Sequence, residues 1–341
     1  MFFCVISILF SLSIFSKHLF FDFTLTGITG NECFSSIVAV DDNVLILAGE
    51  SSLMSGHAII LKSKDKGLNW KLCYNGVGKI SSLVNIDSVI YAVQNLFQLG
   101  KGVKSKLFKS VNCGENWKEV KYTGEAIDKI YFISKEEGVL FVSINNEEKL
   151  LKTVNGGNTW DEIKIFKDNL LVDFDFLTSK NGIMYGTYRN VFNKDSVRFF
   201  SLNIKNNDFQ SVPIIENIGT EKVLKFDELG YLFLSTQVNK VLKVYKVDNH
   251  LRIISSFNIE NTNDTFLDLF VFNGNKFALM DDFYSNRNFN NYRFYRLNSE
   301  TNQSEKIDKF DNMVFKPYCQ YGGVLYGYIG NGKLRKIDLK K

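Results

Sequence analysis

Carboxylate, guanidinium and aromatic side chains occur together at two places in the sequence. Two carboxylates about 5–10 Å apart can hydrolyse a glycosidic bond. Aromatic and arginine side chains are also the usual anchors of protein interfaces. The two groups therefore predict either a glycoside-hydrolysing site or a surface that binds a partner. The residues concerned are Tyr188, Arg189, Asp281, Asp282, Tyr284 and Arg287.

The carboxylates of the second group are poorly arranged for catalysis. Asp281 and Asp282 are neighbours, so on a strand their side chains point to opposite faces. A second catalytic carboxylate would have to come from elsewhere in the chain, for example Glu50. The chain has only three dispersed histidines, which disfavours acid–base catalysis by histidine and a zinc site. We therefore predict no catalytic residue, no metal and no cofactor. The histidines are His18, His57 and His250.

A turn motif of the form Ser/Thr-x-Asp/Asn-x-Gly-x-x-Trp occurs three times and supplies a scaffold. Its first positions lie 47 and 43 residues apart, and all three tryptophans occupy its last position. Each copy follows an apolar run ending in lysine, a pattern typical of a strand that enters a turn. The copies are Ser63, Asp65, Gly67 and Trp70; Ser110, Asn112, Gly114 and Trp117; and Thr153, Asn155, Gly157 and Trp160.

Each position of the motif has a physical role in a tight turn. The hydroxyl and the Asp or Asn oxygen can accept hydrogen bonds from nearby backbone N–H groups. The glycine suits a positive φ, which residues with a Cβ adopt reluctantly. The tryptophan then begins the next strand and can fold its ring under the turn. The motif therefore predicts a hairpin that its own side chains hold together.

The motif resembles the Asp box, also called the BNR repeat, of Asp-box β-propellers. That superfamily includes sialidases, sortilin-like receptors and photosystem II assembly factors, so the resemblance implies a fold more firmly than a function. Two of the copies carry Asn where the Asp box has Asp. The resemblance covers roughly residues 33 to 166.

The residues of a sialidase site are missing. Such sites use three arginines, one of them in an early Arg-Ile-Pro motif, but no arginine here precedes Arg189 and the only prolines are Pro213 and Pro317. We expect Arg198, Arg293 and Arg296 to lie on third strands, facing away from the central channel. The resemblance instead implies a non-catalytic surface for a protein or peptide, with a glycoside hydrolase or a glycan-binding propeller as the alternative. Phe97, Tyr188 and Tyr284 are the aromatic candidates for glycan binding.

Polar turns between two apolar runs recur at spacings of about 44 to 51 residues, the period of a four-stranded propeller blade. Seven such turns predict an all-β, seven-bladed β-propeller. They fall at Asp42–Asn43, Asp87–Ser88, Glu137–Gly138, Asn181–Gly182, Leu229–Gly230, Gly274–Asn275 and Gly322–Gly323.

The two ends of the chain predict how the ring closes. The last unit has three apolar runs, near 314–320, 324–329 and 334–339, and then the chain stops. The run Phe20 to Leu25 precedes the first unit and has no other partner. We therefore predict that it is the outermost strand of the seventh blade, which removes two open sheet edges.

The predicted ring has two different faces. The motif turns lie on one face, and the longer connections between second and third strands lie on the other, where we expect a ligand. The long loops of that face are Glu50 to His57, Gln94 to Ser105, Thr187 to Ser196 and Asp281 to Asn291.

The N-terminal segment predicts export. Residues 2–15 are a continuous apolar stretch close in length to the core of a signal peptide. We expect residues 1–18 to be a signal peptide, or a short membrane anchor if uncleaved, followed by one domain over residues 19–341. Cys33, Cys73, Cys113 and Cys319 allow three disulfide pairings or none, and we favour small buried side chains. Lys and Arg are scattered along the chain, so we expect no nucleic-acid binding. We also expect a monomer.

Overall fold

Strands make up every regular element in the computed structural model over the residues that it describes. No helix in those residues is long and apolar enough to cross a membrane. The prediction of an all-β chain is therefore confirmed for this part of the molecule. The described residues are 20–24, 32–51, 56–100, 102–122, 126–144, 147–166, 172–180, 182–190, 198–213, 222–226, 232–238, 241–247, 253–259, 265–273, 275–281, 292–298, 303–310, 318–330 and 333–340.

The first three sheets of the chain are antiparallel and four-stranded, and neighbours in sequence are neighbours in each sheet. Sheet 1 contains β2 (Glu32–Ala39), β3 (Leu45–Ser51), β4 (His57–Ser63) and β5 (Lys71–Val77). Sheet 2 contains β6 (Lys79–Ile86), β7 (Val89–Gln98), β8 (Gly102–Ser110) and β9 (Lys118–Val120). Sheet 3 contains β10 (Ala126–Phe132), β11 (Gly138–Ile144), β12 (Glu147–Thr153) and β13 (Asp161–Phe166).

The next three sheets repeat this arrangement. Sheet 4 contains β14 (Val172–Lys180), β15 (Ile183–Asn190), β16 (Arg198–Asn203) and β17 (Asp208–Pro213). Sheet 5 contains β18 (Lys222–Phe226), β19 (Leu232–Val238), β20 (Val241–Val247) and β21 (Ile253–Ile259). Sheet 6 contains β22 (Thr265–Phe272), β23 (Asn275–Asp281), β24 (Tyr292–Asn298) and β25 (Gln303–Phe310).

Sheet 7 joins the two ends of the chain. It contains β26 (Tyr318–Tyr321), β27 (Val324–Gly330), β28 (Lys333–Asp338) and, as its outer strand, β1 (Phe20–Thr24). β1 runs antiparallel to β28, with Phe20 opposite Ile337 and Thr24 opposite Lys333. The pairing expected for the N-terminal strand is thus present. The apolar run expected near 314–320 is described only from Tyr318 onward, and residues 311–317 lie outside the described residues.

Of the seven polar turns of the sequence, the three that the structure describes completely as turns, Asp42–Asn43, Asp87–Ser88 and Gly322–Gly323, lie between the first and second strand of a sheet. Asp87 and Ser88, for example, join β6 to β7 with φ values of 46° and 71°. Such positive φ at two successive residues is the geometry of a tight two-residue hairpin. The spacing of the polar turns in the sequence therefore corresponds to the spacing of successive sheets along the chain.

Neighbouring sheets pack face to face through apolar side chains, because their strands carry apolar residues on both faces. Val93, Leu107 and Leu140 lie in one cluster between sheets 2 and 3. Leu45, Trp70 and Leu334 lie in another, between sheets 1 and 7. Further clusters join sheets 1 and 2, sheets 3 and 4, and sheets 6 and 7. The first strands of sheets 4 and 5 and of sheets 5 and 6 are also adjacent.

Parts of two predicted loops are strands. The segment Gln94 to Ser105 is a hairpin of β7 and β8, with Gln94 opposite Lys106 and Gln98 opposite Gly102. Residues 187–190 of the segment Thr187 to Ser196 belong to β15. The sequence predicts loops in both segments because polar residues interrupt their apolar pattern. Backbone hydrogen bonds do not require apolar side chains, so these strands can continue beyond the apolar core.

The four cysteines that the structure describes are free thiols. Cys33 is exposed and the other three are half-buried, so the interpretation as buried side chains is wrong for Cys33. Cys319 packs in the cluster between sheets 1 and 7, and burial raises the pKa of its thiol to about 12.

Candidate functional site

The first repeated turn shows how the motif holds itself together. The Ser63 hydroxyl accepts a hydrogen bond from the Gly67 N–H at 2.8 Å, and Asp65 Oδ1 accepts one from the Asn69 N–H at 2.8 Å. The Trp70 indole N–H donates to the Gly67 carbonyl at 2.8 Å. Gly67 has φ of 91°, the left-handed region that favours glycine. The bonds to Asn69 are the main reason that the pKa of the Asp65 carboxyl is lowered.

The second and third turns keep the bonds to the hydroxyl and to the Asp/Asn side-chain oxygen, with Asn in place of Asp, but the buried indole N–H groups of Trp117 and Trp160 have no hydrogen-bond partner in the part of the chain that the structure describes. Gly114 N–H donates to the Ser110 hydroxyl at 2.8 Å, and Asn116 N–H donates to Asn112 Oδ1 at 3.0 Å. The third turn has the same two bonds, at 2.9 and 3.0 Å. An amide oxygen replaces a carboxylate oxygen here because the turn needs an acceptor and no charge.

Each turn packs against the sheet that precedes it around the molecule. A Cβ added to Gly67 would lie 2.9 Å from Leu334 Cδ2 of sheet 7, and one added to Gly114 would lie 2.7 Å from Ile46 Cδ1 of sheet 1. Trp70 and Trp117 join the apolar clusters at the same two junctions. The turns therefore position sheets and have a structural role.

Charged groups beside the first turn form a second polar feature. Lys62 Nζ lies 3.1 Å from Glu115 Oε1, and Lys64 is bonded to the same carboxylate. The hydrogen bonds from Lys64 and then Lys62 lower the pKa of the Glu115 carboxyl to about 2. A cleft of about 250 Å³ opens beside this group and is also lined by Trp70. A second cleft, of about 390 Å³, lies beside Trp160.

The turn face is the end of the sheets that carries these turns, and the loop face is the opposite end. On the turn face, the Lys66 N–H donates to the Asn43 carbonyl at 2.8 Å, so the β4–β5 turn lies beside the β2–β3 turn. On the loop face, Gly78 N–H donates to the Gly56 carbonyl. The β3–β4 connection and the β5–β6 link thus lie together, where we expected a ligand.

Tyr188 is not a loop residue and packs in an aromatic cluster. Its ring is half-buried within β15, and its centroid lies 5.6 Å from that of Phe166 and 6.1 Å from that of Phe209. Its hydroxyl lies 3.1 Å from Ser211 Oγ. These contacts give Tyr188 a packing role at the junction of sheets 3 and 4.

The other predicted residues are placed only in part. Arg189 lies in β15, opposite Asp173 of β14, and Asp281 is the last residue of β23. The side chains of Arg189 and Asp281 lie outside what the structure describes. The predicted residues Asp282, Tyr284 and Arg287 fall in residues 282–291, which are also outside it.

Glu50, the suggested second carboxylate, lies near the end of β3 and its Oε1 is 3.5 Å from Lys79 Nζ. Arg198 lies on β16, the third strand of sheet 4, as predicted. Arg293 and Arg296 lie on β24, the third strand of sheet 6, also as predicted. Among the described residues, no group of three or more His, Cys, Asp or Glu could hold a metal ion.

A projecting hairpin on the loop face is the most exposed apolar feature of the described residues. β7 and β8 have 10 and 9 residues and are the longest second and third strands that the structure describes. The last pair of β6 with β7 is Lys79 with Asn95, so the hairpin continues beyond its sheet. We call this extension, residues 96–100 and 102–104, the arm.

The arm presents apolar side chains to solvent. Phe97 is 75% exposed, Leu99 94% and Val103 40%. Phe97 and Val103 are directly opposite each other, so they stand on one face of the ribbon. Phe97 had been singled out in the sequence as an aromatic on a loop. Leu99 and Val103 were missed, although two apolar residues around Gly100 and Gly102 could have indicated an apolar tip.

Comparison with known proteins shows the fold. No protein-family model and no curated protein sequence matches the chain. YCF48 from Cyanidioschyzon merolae is 11% identical and superposes with a TM-score of 0.65, over 94% of this chain and 99% of that chain. YCF48 bound to a D1 peptide is 10% identical, with a TM-score of 0.64 over 93% of this chain and 96% of that chain.

An enzyme also shares the fold. The GH74 xyloglucanase from Xanthomonas campestris is 12% identical, with a TM-score of 0.56 over 88% of this chain and 52% of that chain. At such identities the similarity is one of fold alone, because one propeller scaffold carries unrelated functions. The chain has a β-propeller fold.

Proposed function

We propose that the chain is an exported, non-catalytic β-propeller that binds a protein or peptide through its loop face. The arm is the observation that carries this proposal. The exposure of apolar side chains such as Phe97 and Leu99 to water is unfavourable. Burying one such side chain in an interface typically contributes about 1.5–3 kcal/mol to the free energy of binding. A cluster of them on one projecting ribbon is typical of an interaction site.

The comparison with YCF48 supports the same function. One similar propeller, YCF48, is known with a D1 peptide bound, so this scaffold can hold a peptide. At 10% identity the similarity is one of fold alone, so it does not identify the peptide that this chain would bind. The proposed partner is therefore a protein segment of unassigned sequence.

The proposed scaffold is a single closed ring of seven blades, and the repeated turns are proposed to be Asp boxes. The packing of successive sheets and the pairing of β1 with β28 support the ring. The hydrogen bonds of the three turns support the second assignment. A rigid ring holds the arm in a fixed position, which lowers the entropy lost on binding.

Glu50 supports binding over hydrolysis. The carboxylate that we suggested for a hydrolytic pair is instead in an ion pair with Lys79, at 3.5 Å. Asp281 and Asp282 remain candidates for the glycoside hydrolase alternative. The variants Asp281→Asn and Asp282→Asn would remove activity if a panel of glycans revealed any hydrolysis.

Affinity capture tests the proposal. The chain from Leu19 onward is used as bait against the native envelope or secreted fraction, beside the double variant Phe97→Ser/Leu99→Ser. The matched control is Val111→Ser/Val154→Ser, because Val111 and Val154 are 73% and 49% exposed on the turn face. We expect the bait and the control to retain one protein in near-stoichiometric amount, and the arm variant to lose it.

Equal retention by all three baits would refute binding through the arm. Retention of glycans without protein would favour the glycan alternative. The residues predicted from the sequence, Arg189, Asp281, Asp282, Tyr284 and Arg287, remain part of the proposed surface and need separate variants.

Export is proposed from the apolar residues 2–15. Expression of the full chain in its own cells and an intact-mass measurement test it. A product that lacks about the first 18 residues is expected on the basis of signal-peptide lengths. A product that keeps them and sediments with membranes would indicate an uncleaved anchor.

A further inference from the structure

Sheet 2 has an unusually short outer strand. β9 has 3 residues and pairs only with Leu107–Lys109 of β8. The outer strands of the other sheets have between 5 and 8 residues as described. Along β8, no described strand pairs with Gly102–Lys106 on the side away from β7. Ser105 is nevertheless buried, so the open part of the edge is Gly102–Lys104.

An open edge offers a row of backbone N–H and C=O groups already in strand geometry. Such an edge can accept an extended segment as a further strand. Gly102 and Lys104 are exposed and Val103 is 40% exposed, so the backbone there is accessible. The arm therefore combines an apolar surface with a pairing edge.

The two faces of the arm differ in chemistry. Phe97 and Val103 lie on the face that continues from Val93 and Leu107, which pack towards sheet 3. Lys104 and Lys106 alternate with them and lie on the other face. Within the arm, one face thus carries Phe97 and Val103, and the other carries the charged Lys104 opposite Leu96.

The charges on that second face select the segment that can bind. Lys106 Nζ is 2.9 Å from Glu119 Oε2, whereas Lys104 has no carboxylate partner among the described residues. A second arm of this chain would bring further positive charge to this edge, and like charges on paired strands are destabilising. An acidic side chain opposite Lys104 would be favourable for the same reason.

We propose that the edge Gly102–Lys104 binds an extended partner segment as an added strand in which apolar and acidic residues alternate. Apolar side chains of the segment pack against Phe97 and Val103. Acidic side chains face Lys104. The inference rests on the proposed binding function and names the site and the chemistry of the partner segment.

A synthetic peptide tests the inference. The probe is a fluorescein-labelled peptide of sequence Thr-Val-Glu-Val-Glu-Val-Thr, titrated with the full chain and followed by fluorescence anisotropy. The variant Lys104→Glu should weaken binding at least tenfold. The matched control Lys118→Glu removes an exposed lysine of the same sheet near the turn face and should bind like the wild type. Melting temperatures of both variants verify that they fold.

Two methylated peptides separate strand pairing from simple charge attraction. Alternate amides of an added strand point towards β8, so N-methylation of either the glutamate or the valine amides should abolish binding while the other set is tolerated. Equal binding by both methylated peptides, or an unchanged affinity for Lys104→Glu, would overturn the inference. No binding of the probe to the wild-type chain would also overturn it.

The capture experiment shows which idea has failed. If the wild-type chain captures a protein that the Phe97→Ser/Leu99→Ser variant loses, but does not bind the probe, then the arm is a binding site without strand addition. If neither capture nor probe binding is seen, then the proposed function fails as well.

Discussion

The variant Gly114→Ala tests whether the repeated turns are pressed against the preceding sheet. Gly114 has φ of 80°, and an added Cβ would lie 2.7 Å from Ile46 Cδ1 and 3.5 Å from Ile90 Cδ1. Ile46 belongs to sheet 1 and is fully buried. The substitution therefore imposes a backbone cost and a packing cost at once.

The two costs can be estimated separately. An alanine in the left-handed region costs about 1–2 kcal/mol. The smaller conformational freedom of the unfolded chain returns about 0.4–1 kcal/mol of that. Crowding a packed core adds about 1–3 kcal/mol. We expect Gly114→Ala to lower the free energy of unfolding by about 1–4.6 kcal/mol as the sum of these effects.

Gly100→Ala is the matched control. Gly100 has φ of 74°, and its added Cβ would meet no atom within 4 Å. Only the backbone cost remains, so we expect a loss of about 0–1.6 kcal/mol. Urea unfolding followed by tryptophan fluorescence measures both variants, with comparable slopes required for a valid comparison.

The difference between the two variants isolates the packing of the turn. If Gly114→Ala costs no more than Gly100→Ala, then the turn does not press on Ile46 and the structural role given to the motif is wrong. The additional variant Ile46→Val should relieve part of the cost in a double mutant, because it removes the atom in closest contact.

Three further sets of variants test the pairing of β1, the charges around Glu115 and the predicted arginines. Deletion of residues 19–27 should lower the melting temperature far more than deletion of residues 340–341, because β1 pairs with β28 along its whole length; equal effects would mean that β1 is dispensable. The Glu115 carboxyl has its pKa lowered to about 2 by Lys64 and Lys62, so its contribution to stability is present above the ordinary carboxyl pKa and is lost as pH falls towards about 2. The melting temperature of Glu115→Gln should therefore lie below that of the wild type at pH 6 and approach it at pH 2.5, and a constant difference would contradict this. The double variant Arg189→Glu/Arg287→Glu should lose the captured partner without a change in melting temperature; a lowered melting temperature would instead make these arginines structural.

The repeat of the fold is visible in the sequence because it depends on local chemistry. A tight turn between the first two strands requires small or polar residues, as at Asp87 and Ser88, wherever they occur in the chain. The three motif turns are equally local, since their bonds join residues no more than four positions apart. Such features can be predicted without knowing what lies beside them in space.

The candidate site was predicted less well because it depends on distant neighbours. Tyr188 was interpreted as a surface residue beside Arg189, but Phe166 and Phe209, which are remote in the sequence, surround its ring. The sequence predicts a loop at the arm because an exposed hairpin does not need the alternation of apolar and polar residues by which strands are recognised. Its length follows from where β6 begins and β9 ends, which the residues of the arm do not specify.

The contact of the first turn with the last sheet affects how the chain can fold during its synthesis. Each later turn rests on a sheet that the ribosome has already made, as the turn at Gly114 rests on Ile46. Gly67 and Trp70 rest on Leu334, which is made long after them. One side of sheet 1 therefore stays uncovered until sheet 7 has been made. That exposed apolar side is a surface that a chaperone could cover during this interval.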